Sequence, residues 1–345
     1  MSLKIGLVGY QGSGKTTLFE WLTGVEADSS LAHRGQSAMA TLPDPRLEGL
    51  AKIYHSKKIT PAGLEIFDTP GLSRSHQGNP ARLALIREAD CLVLVLAAYD
   101  GSDPWADYRS LEEDFLLADM EIVSGRIHRI EESLKKPLPK TEKEHLAHEQ
   151  TVLQHVLEAM ESGQPLQEAQ MTDQQRRTTR AFRLLTEKPR FLLVNIADDQ
   201  TDAQRFVRTA PPWPCWAVPL DLELELSQMT AEDREAFEKD MGLQGTDKTR
   251  LLRALVEASG RILFFTVNER EVRAWLLRKG GVALEAAGEI HTDMARGFIR
   301  ADVMQADDLL RLGSEREVKA HHLLHSEHKD YPVQDGDILY IHFNV

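Results

Sequence analysis

A glycine-rich segment near the start of the chain has the residue types and spacing of a phosphate-binding loop. It reads Gly9-Tyr10-Gln11-Gly12-Ser13-Gly14-Lys15-Thr16, the pattern G-x-x-x-x-G-K-T. In such a loop the backbone N–H groups surround a diphosphate, the lysine reaches the β- and γ-phosphates, and the threonine hydroxyl ligates Mg²⁺. The predicted nucleotide-binding residues are Gly12, Ser13, Gly14, Lys15, Thr16 and Thr17. Lys15 is also a predicted catalytic residue, and Thr16 a predicted metal ligand.

The segments on either side of this loop favour the same interpretation. Residues 4–8 form an apolar run typical of a buried strand, and residues 17–22 continue as a helix with Leu18 and Leu22 on one face. A strand, a glycine-rich loop and a helix in this order place the loop amides at the positive end of the helix, where anions bind. The sequence therefore predicts a nucleoside triphosphate site, whereas an ordinary glycine-rich turn is the alternative.

A second phosphate-side element follows the apolar strand at residues 64–67. Asp68-Thr69-Pro70-Gly71 has the form D-x-x-G. An aspartate in this position can hold Mg²⁺ through a water molecule, and the glycine N–H can face the γ-phosphate. We predict Asp68 as a metal ligand and Gly71 as a catalytic residue that senses the γ-phosphate. The element is typical of GTPase-type proteins and sets them apart from P-loop kinases.

The strand at residues 191–194 ends in a candidate base-reading element. It reads Asn195-Ile196-Ala197-Asp198, which is N-K-x-D with isoleucine in place of lysine. The Asp198 carboxylate can accept hydrogen bonds from N1–H and the 2-amino group of guanine, whereas adenine offers no donor at N1. We predict that Asn195, Ile196 and Asp198 bind the nucleotide, with Ile196 as a partial aliphatic cover over the base. A solvated loop aspartate is the alternative for Asp198.

Apolar strands alternate with helical patterns along much of the chain. Near-continuous apolar runs occupy residues 91–96, 191–194 and 216–218. Such runs are typical of a parallel sheet that is buried on both faces. The predicted fold class is therefore α/β, a P-loop NTPase sheet with helices on both faces.

Between residues 100 and 191 the strand pattern stops, and apolar residues recur in steps of four and three. The recurring positions are Leu116, Met120, Val123, Ile127, Ile130 and Leu134, then Leu146, Leu153, Leu157 and Met160. This spacing is that of a coiled-coil seam, and the prolines in the break at residues 137–140 permit a turn. We predict an inserted antiparallel helical hairpin, whose first helix runs from about 112 to about 135 and is about 35 Å long.

The composition is that of a globular protein with an acidic balance. The 345 residues suit two or three domains, and the formal net charge of −13 disfavours broad, nonspecific affinity for nucleic acids. No run approaches the roughly 20 apolar residues that span a bilayer, and no signal peptide precedes the first strand, so no membrane association is expected. With only two cysteines, Cys91 and Cys215, the sequence favours a reduced, cytoplasmic protein.

Segments along nearly the whole chain resemble the YchF/Obg-like ATPase family of P-loop NTPases. They are residues 42–47 (LPDPRL), 68–72 (DTPGL), 117–121 (LADME), 271–275 (EVRAW), 287–293 (AGEIHTD), 296–301 (RGFIRA) and 335–345 (DGDILYIHFNV). The C-terminal segments are the most specific, and the match runs almost end to end in a single order. By this resemblance the chain is identified as a divergent member of the family.

The resemblance implies a protein of three parts. A G domain (residues 1–110 and 189–262) would be interrupted by the helical hairpin (111–188) and followed by a TGS-like β-grasp domain (263–345). The resemblance also implies hydrolysis of ATP or GTP with Mg²⁺ as cofactor, in a nucleotide-dependent switch that binds the ribosome or another structured RNA. The hairpin could in addition contact protein partners.

The chain departs from the family pattern at the base-reading position and in switch I. The family usually has N-x-x-E where Asp198 stands, so kinship favours ATP, hydrogen bonding favours GTP, and the base stays open. No threonine lies between Thr23 and Thr41, where GTPases place a Mg²⁺-binding switch I threonine. Ala32 falls near the expected position, and none of the nearby serines has a persuasive context.

Switch II also lacks the glutamine that positions water in many GTPases, because Leu72 follows the D-x-x-G element. The family shares that hydrophobic residue and has instead a histidine in the loop after the fourth strand. Here that loop, residues 97–104, contains no histidine. His76 is the nearby replacement that we predict as catalytic, with an exposed loop histidine as the alternative.

These departures predict slow hydrolysis in the absence of a partner. The alternative function is a nucleotide-binding regulatory or adaptor module that hydrolyses little or nothing and acts on protein partners.

Overall fold

The structure, a computed structural model, describes residues 3–163, 179–200, 203–211, 213–241 and 246–344. The strands are β1 Leu3–Val8, β2 Gln36–Leu42, β3 Lys58–Thr60, β4 Ala62–Asp68, β5 Cys91–Ala97, β6 Arg190–Asn195, β7 Cys215–Val218, β8 Arg261–Val267, β9 Glu271–Arg278, β10 Phe298–Gln305, β11 His325–Glu327 and β12 Asp337–Phe343. The α-helices are α1 Lys15–Thr23, α2 Pro45–Tyr54, α3 Asn79–Ile86, α4 Pro104–Leu134, α5 Lys140–Glu161, α6 Gln204–Thr209, α7 Leu220–Gln228, α8 Ala231–Met241, α9 Lys248–Ala258, α10 Ala283–Ile290, α11 Thr292–Arg296, α12 Ala306–Leu312 and α13 Glu315–Ala320.

The first sheet has the strand order β2-β4-β1-β5-β6-β7. Strands β4, β1, β5, β6 and β7 are parallel to one another, and β2 is antiparallel to β4. Successive side chains of a strand point to opposite faces, so Val93 and Val95 of β5 join one core and Leu92 and Leu94 join another. Helix α1 packs on the first face and the start of α4 on the second. The predicted α/β fold with helices on both faces is confirmed.

The predicted helical hairpin is formed by α4 and α5. All ten residues predicted for its seam belong to one apolar cluster, which the bidentate pair Arg126–Glu149 flanks. Helix α4 starts earlier than predicted, at Pro104, because Asp103 caps it by accepting the N–H of Trp105 at 2.9 Å. Its 31 residues make it about 46 Å long. Residues 164–178 of the predicted insert lie outside the described residues.

The second sheet has the strand order β11-β10-β12-β8-β9-β3. Strand β12 is parallel to β8 and antiparallel to β10, while β8 and β9 form an antiparallel hairpin. Helix α10 packs Ala283 and Ala286 against one face of this sheet, beside Phe264 and Leu277. The central order β9-β8-β12-β10 with a helix across one face is the predicted β-grasp arrangement. The edge strand β3 was not predicted here, since it comes from within residues 1–110.

Helix α2 lies between the two sheets. One continuous apolar cluster contains Leu50 of α2, Ile66 of β4 and Phe265 of β8. At the start of α2, the Arg46 guanidinium donates to Asp44 at 2.8 Å and to Asp335, in the second sheet's last turn, at 3.2 Å. The second sheet is therefore fixed to the first by apolar packing and by charged hydrogen bonds. None of the helices in the described ranges combines the length and the apolar character that crossing a membrane requires.

Candidate nucleotide-binding site

A cavity of about 250 Å³ opens at the carboxyl edge of the first sheet. In parallel α/β sheets the loops that leave the carboxyl ends of the strands meet at this edge, which is where ligands bind. The glycine-rich loop follows β1, Asp68 ends β4, and Asn195 ends β6. The predicted site residues that line the cavity are Gly12, Gly14, Lys15, Thr16, Thr17 and Asn195.

Three glycines allow the loop between β1 and α1 to take its shape. Gly12 and Gly14 have φ angles of 81° and 99°, in the left-handed region that glycine adopts without strain. Gly14 is also the N-cap of α1, so the loop amides stand at the positive end of that helix. A Cβ on Gly9 would overlap the carbonyl oxygen of Val95 in β5. The sequence thus folds here into a cradle of backbone N–H groups.

Lys15 is buried inside this cradle, with 6% of its surface exposed. Its ammonium donates to the carbonyl oxygen of Tyr10 at 2.9 Å. Burial lowers the pKa of Lys15 to about 8, against the opposing effect of Asp68 and with a further lowering from Arg82. The Ser13 hydroxyl is also buried, and it has no hydrogen-bond partner among the described residues. A bound anion would stabilise the charged lysine and offer an acceptor to the serine.

Thr16 and Asp68 stand together where a metal ligand pair was predicted. The Thr16 hydroxyl donates to Asp68 Oδ2 at 3.0 Å, while Asp68 Oδ1 is buried and lacks a partner among the described residues. Burial raises the pKa of the Asp68 carboxyl, which the hydrogen bond from Thr16 and the charge of Lys15 oppose. A hydroxyl and one carboxylate fit Mg²⁺, which keeps several waters and takes its other ligands from phosphates. No cluster of three or more acidic, histidine or cysteine ligands occurs in the described ranges.

The segment that starts at the D-x-x-G element (residues 68–71), predicted as switch II, begins directly against the glycine-rich loop. The N–H of Leu72 donates to the Gly9 carbonyl at 3.0 Å, and the N–H of Gln11 donates to the Leu72 carbonyl at 3.1 Å. A Cβ on Gly71 would lie 3.2 Å from Lys15 Nζ. Two of the three predicted catalytic residues, Lys15 and Gly71, are therefore neighbours.

His76 lies farther along switch II and contacts helix α4. Its Nδ1 is 2.7 Å from Asp114 Oδ1, and 59% of its side chain is exposed. The other oxygen of Asp114 accepts a hydrogen bond from Asn79 at 3.1 Å. The pair gives His76 an oriented ring. Its catalytic role stays a prediction.

The candidate base-reading residues occupy three different environments. Asn195 is buried; its Nδ2 donates to the Ser13 carbonyl at 3.3 Å, and its Oδ1 accepts the N–H of Leu220 at 3.2 Å. Ile196 is 4% exposed and packs into the second core, so its side chain has no free surface to place over a base. Asp198 is exposed in the turn that follows β6.

Two residues that line the cavity were missed in the sequence. The Tyr99 hydroxyl donates to the Gly12 carbonyl at 2.8 Å across the cavity, and Asp221 lies in the first turn of α7. The signal that could have found both is position, because each follows the carboxyl end of a parallel strand of the first sheet, β5 or β7.

Comparisons with known proteins agree with this geometry. Residues 4–124 match a family model described as 50S ribosome-binding GTPase. Residues 262–344 match the YchF GTPase C-terminal family, described as a protein of unknown function. The chain is also 30% identical, over its whole length and that of the relative, to the ribosome-binding ATPase YchF of Bacillus subtilis. The chain belongs to the YchF/Obg-like ATPase family.

Other members of the YchF/Obg-like family match along nearly the whole chain. Obg-like ATPase 1 of Oryza sativa subsp. japonica is 32% identical, over 99% of this chain and 92% of that protein. The structure of the Schizosaccharomyces pombe YchF GTPase superposes with a TM-score of 0.82 and covers 99% of this chain and 98% of that one, at 24% identity. The predicted family and fold are thus confirmed, and by family this chain is a P-loop nucleoside triphosphatase.

Proposed function

We propose that this protein is a nucleotide-dependent switch that hydrolyses ATP or GTP and binds the ribosome in one nucleotide state. The observation that carries the proposal is that Lys15 and Thr16 line one cavity and that the Thr16 hydroxyl donates a hydrogen bond to Asp68. Within the described residues, two buried polar atoms of the same region, Ser13 Oγ and Asp68 Oδ1, have no hydrogen-bond partner. Buried polar atoms without partners are costly, and a polyphosphate with its cation would satisfy both.

The proposed catalysis is electrostatic. The amides of residues 12–17 bind the phosphates, Lys15 turns from the Tyr10 carbonyl to the β- and γ-phosphates, and the N–H of Gly71 faces the γ-phosphate. Thr16 and Asp68 would hold Mg²⁺, which when bound neutralises charge on the phosphate oxygens. Donors that are fixed before the reaction stabilise the charge that develops on the transferring phosphoryl group.

His76 is proposed to position the attacking water. Its Nδ1 faces Asp114 at 2.7 Å, which leaves Nε2 to contact a water molecule. This role requires the segment between Gly71 and Asn79 to carry the ring toward the γ-phosphate. Because no glutamine or switch I threonine assists, hydrolysis should be slow, on the order of the intrinsic rate of a small GTPase.

The base is proposed to bind near Asn195 and Asp198. The exposed Asp198 carboxylate can accept both N–H donors of guanine, which favours GTP. Kinship with relatives named ATPases favours ATP. The ratio of the affinities for GDP and ADP, with Asp198→Asn as the comparison variant, distinguishes the two.

The ribosome is proposed as the partner because relatives over the whole chain are named ribosome-binding ATPases. The hairpin α4–α5 and the second sheet offer two separate surfaces for such a contact. The contact is proposed to take place in the cytoplasm. Sedimentation of the protein through sucrose with ribosomes should depend on whether a nonhydrolysable ATP or GTP analogue is present. Failure to co-sediment in any nucleotide state would reject this part of the proposal.

Phosphate release from ATP and GTP by the purified protein tests hydrolysis. We expect slow release that ribosomes accelerate and that Lys15→Ala abolishes. Equal background release by both proteins would leave a nucleotide-binding module without hydrolysis. The affinities for labelled ADP and GDP are measured for the same proteins. They show whether Lys15→Ala has lost nucleotide binding or only hydrolysis.

A further inference from the structure

Gln36, the first residue of β2, connects the loop before β2 to the predicted metal ligand Asp68. In the antiparallel β2–β4 pair Gln36 stands directly opposite Asp68. Its Nε2 lies 3.5 Å from Asp68 Oδ2, and its Oε1 accepts the N–H of Asp28 at 2.9 Å. One side-chain amide therefore bridges the loop and the carboxylate.

The backbone around Gln36 fixes this bridge. Gly35 has a φ of 77°, and a Cβ there would lie 2.6 Å from the Phe67 ring and 2.9 Å from the Asp68 carbonyl oxygen. Only glycine lets the chain pass so close to β4, so the residue after it is delivered to Asp68. At the other end, the Asp28 carboxylate accepts the N–H of Ser30 at 2.8 Å and caps a short 3₁₀ turn. The loop from residue 28 to residue 36 is thereby closed on itself.

This loop occupies the place of switch I, in which the sequence has no threonine between residues 24 and 40. Within the described residues, Gln36 is the side chain of this loop and of β2 that contacts the Asp68 carboxylate. Asp68 Oδ2 is shared by Thr16 and Gln36, while Asp68 Oδ1 is buried and has no partner within the part of the chain that the structure describes. The donors on Oδ2 are both neutral, so they orient the carboxylate but leave its negative charge available to a cation.

We propose that Gln36 is a positioning residue that orients the Asp68 carboxylate for Mg²⁺ and ties the order of residues 28–36 to metal binding. The inference rests on the proposed function, since the metal arrives with a nucleotide. Gln36 supplies the link between switch I and the metal site for which GTPases use a threonine. Groups that hydrogen-bond a metal-ligating carboxylate typically contribute 10- to 100-fold to metal affinity.

The test measures the Mg²⁺ dependence of nucleotide dissociation rather than hydrolysis. Release of fluorescent ADP and GDP is followed while Mg²⁺ is titrated, for the native protein, Gln36→Leu and Gln36→Ala. Gln36→Leu keeps the side-chain volume but removes both hydrogen bonds. Gln150→Ala is the matched control, at a half-buried position of α5 where the side-chain amide donates to Glu131 at 3.3 Å, far along the chain from the predicted metal ligands. We expect both Gln36 variants to need about tenfold more Mg²⁺ for slow release, and the control to need no more than the native protein.

Hydrogen exchange of residues 28–36 is the second readout. Mg²⁺ with nucleotide should slow the exchange in the native protein and in Gln150→Ala, but not in Gln36→Leu. A cooperative thermal unfolding transition, measured for each variant, tests whether that variant is folded. Equal Mg²⁺ dependence and equal protection in all proteins would overturn the role of Gln36 and leave the proposed function intact. A native protein that binds neither nucleotide would overturn the proposed function, and this inference with it.

Discussion

The side-chain amide of Asn195 lies directly behind Gly14. A Cβ at position 14 would be 2.5 Å from Asn195 Nδ2, which donates to the Ser13 carbonyl at 3.3 Å. The oxygen of the same amide accepts the N–H of Leu220 at the start of α7. One side chain therefore holds the phosphate-binding loop, the end of β6 and α7 together. Its effect on nucleotide affinity should not depend on the base.

Replacing Asn195 should separate support of the loop from recognition of the base. Asn195→Ala leaves the Ser13 carbonyl and the Leu220 N–H without their partner, a loss of about 1–3 kcal/mol. We expect the affinities for GDP and ADP, measured by calorimetry, to fall together by about tenfold. Asp198→Asn should instead change their ratio and leave the ADP affinity nearly unchanged. A loss confined to one nucleotide in Asn195→Ala would contradict the supporting role.

Nucleotide binding should take up a proton at Lys15 in mildly alkaline solution. Burial lowers the pKa of Lys15 to about 8, so near that pH about half of the free protein carries a neutral lysine. A bound polyphosphate favours the charged form and raises the pKa, so the neutral fraction must gain a proton. We expect uptake of about half a proton near pH 8 and almost none near pH 6.5.

Calorimetry in two buffers of different ionisation enthalpy measures this uptake. Lys15→Arg is the matched control, because arginine stays charged throughout the range and should take up no proton at that position. Uptake that is the same at both pH values, or that persists in Lys15→Arg, would place the titrating group elsewhere.

The parts of the site that local patterns encode could be predicted from the sequence. The glycine-rich loop and Asp68 each sit at the junction of an apolar strand and a polar turn, so spacing alone brings them to one edge of the sheet. The hairpin seam could be predicted equally well, because its apolar residues recur in steps of four and three over many helical turns. The predicted start of α4, at about residue 112, is wrong, since the cap at Asp103 lies before the first residue of the seam.

Long-range packing decided what could not be predicted. Strand β3 has only three residues, and it pairs with β9 more than 200 positions away, so nothing local marks it as part of the second sheet. The sequence predicts Ile196 as a loop residue that covers the base, but its side chain packs into the apolar core on the second face of the first sheet. Gln36 has no signal of its own, because its contact with Asp68 depends on the register of two antiparallel strands.

Removing His76 should lower the rate of hydrolysis without weakening nucleotide binding. His76→Ala takes away the ring that the Asp114 carboxylate orients, and a positioned general base or water ligand typically contributes 10²- to 10⁴-fold. We expect kcat to fall by about 100-fold while the affinities for ADP and GDP stay within about twofold. His148→Ala, an exposed histidine of α5, is the control. Unchanged kcat in His76→Ala would leave His76 as a contact between switch II and α4.

Glu315 should contribute to the attachment of the second sheet to α2. Its carboxylate accepts a hydrogen bond from the hydroxyl of Tyr54, in α2, at 2.5 Å and another from the hydroxyl of Tyr340, in β12, at 2.7 Å. Glu315→Ala leaves both half-buried hydroxyls without their acceptor, and each such loss costs about 1 kcal/mol or more. We expect the free energy of unfolding, measured with urea, to fall by about 2 kcal/mol. Glu317→Ala, exposed on the same helix, should change it by less than about 0.5 kcal/mol.

The double variant Tyr54→Phe, Tyr340→Phe distinguishes a bridge from a general effect of removing charge. With no hydroxyl left to satisfy, removal of the Glu315 carboxylate should cost much less than it does in the native background. Additive losses in the triple variant would mean that Glu315 acts through some other contact.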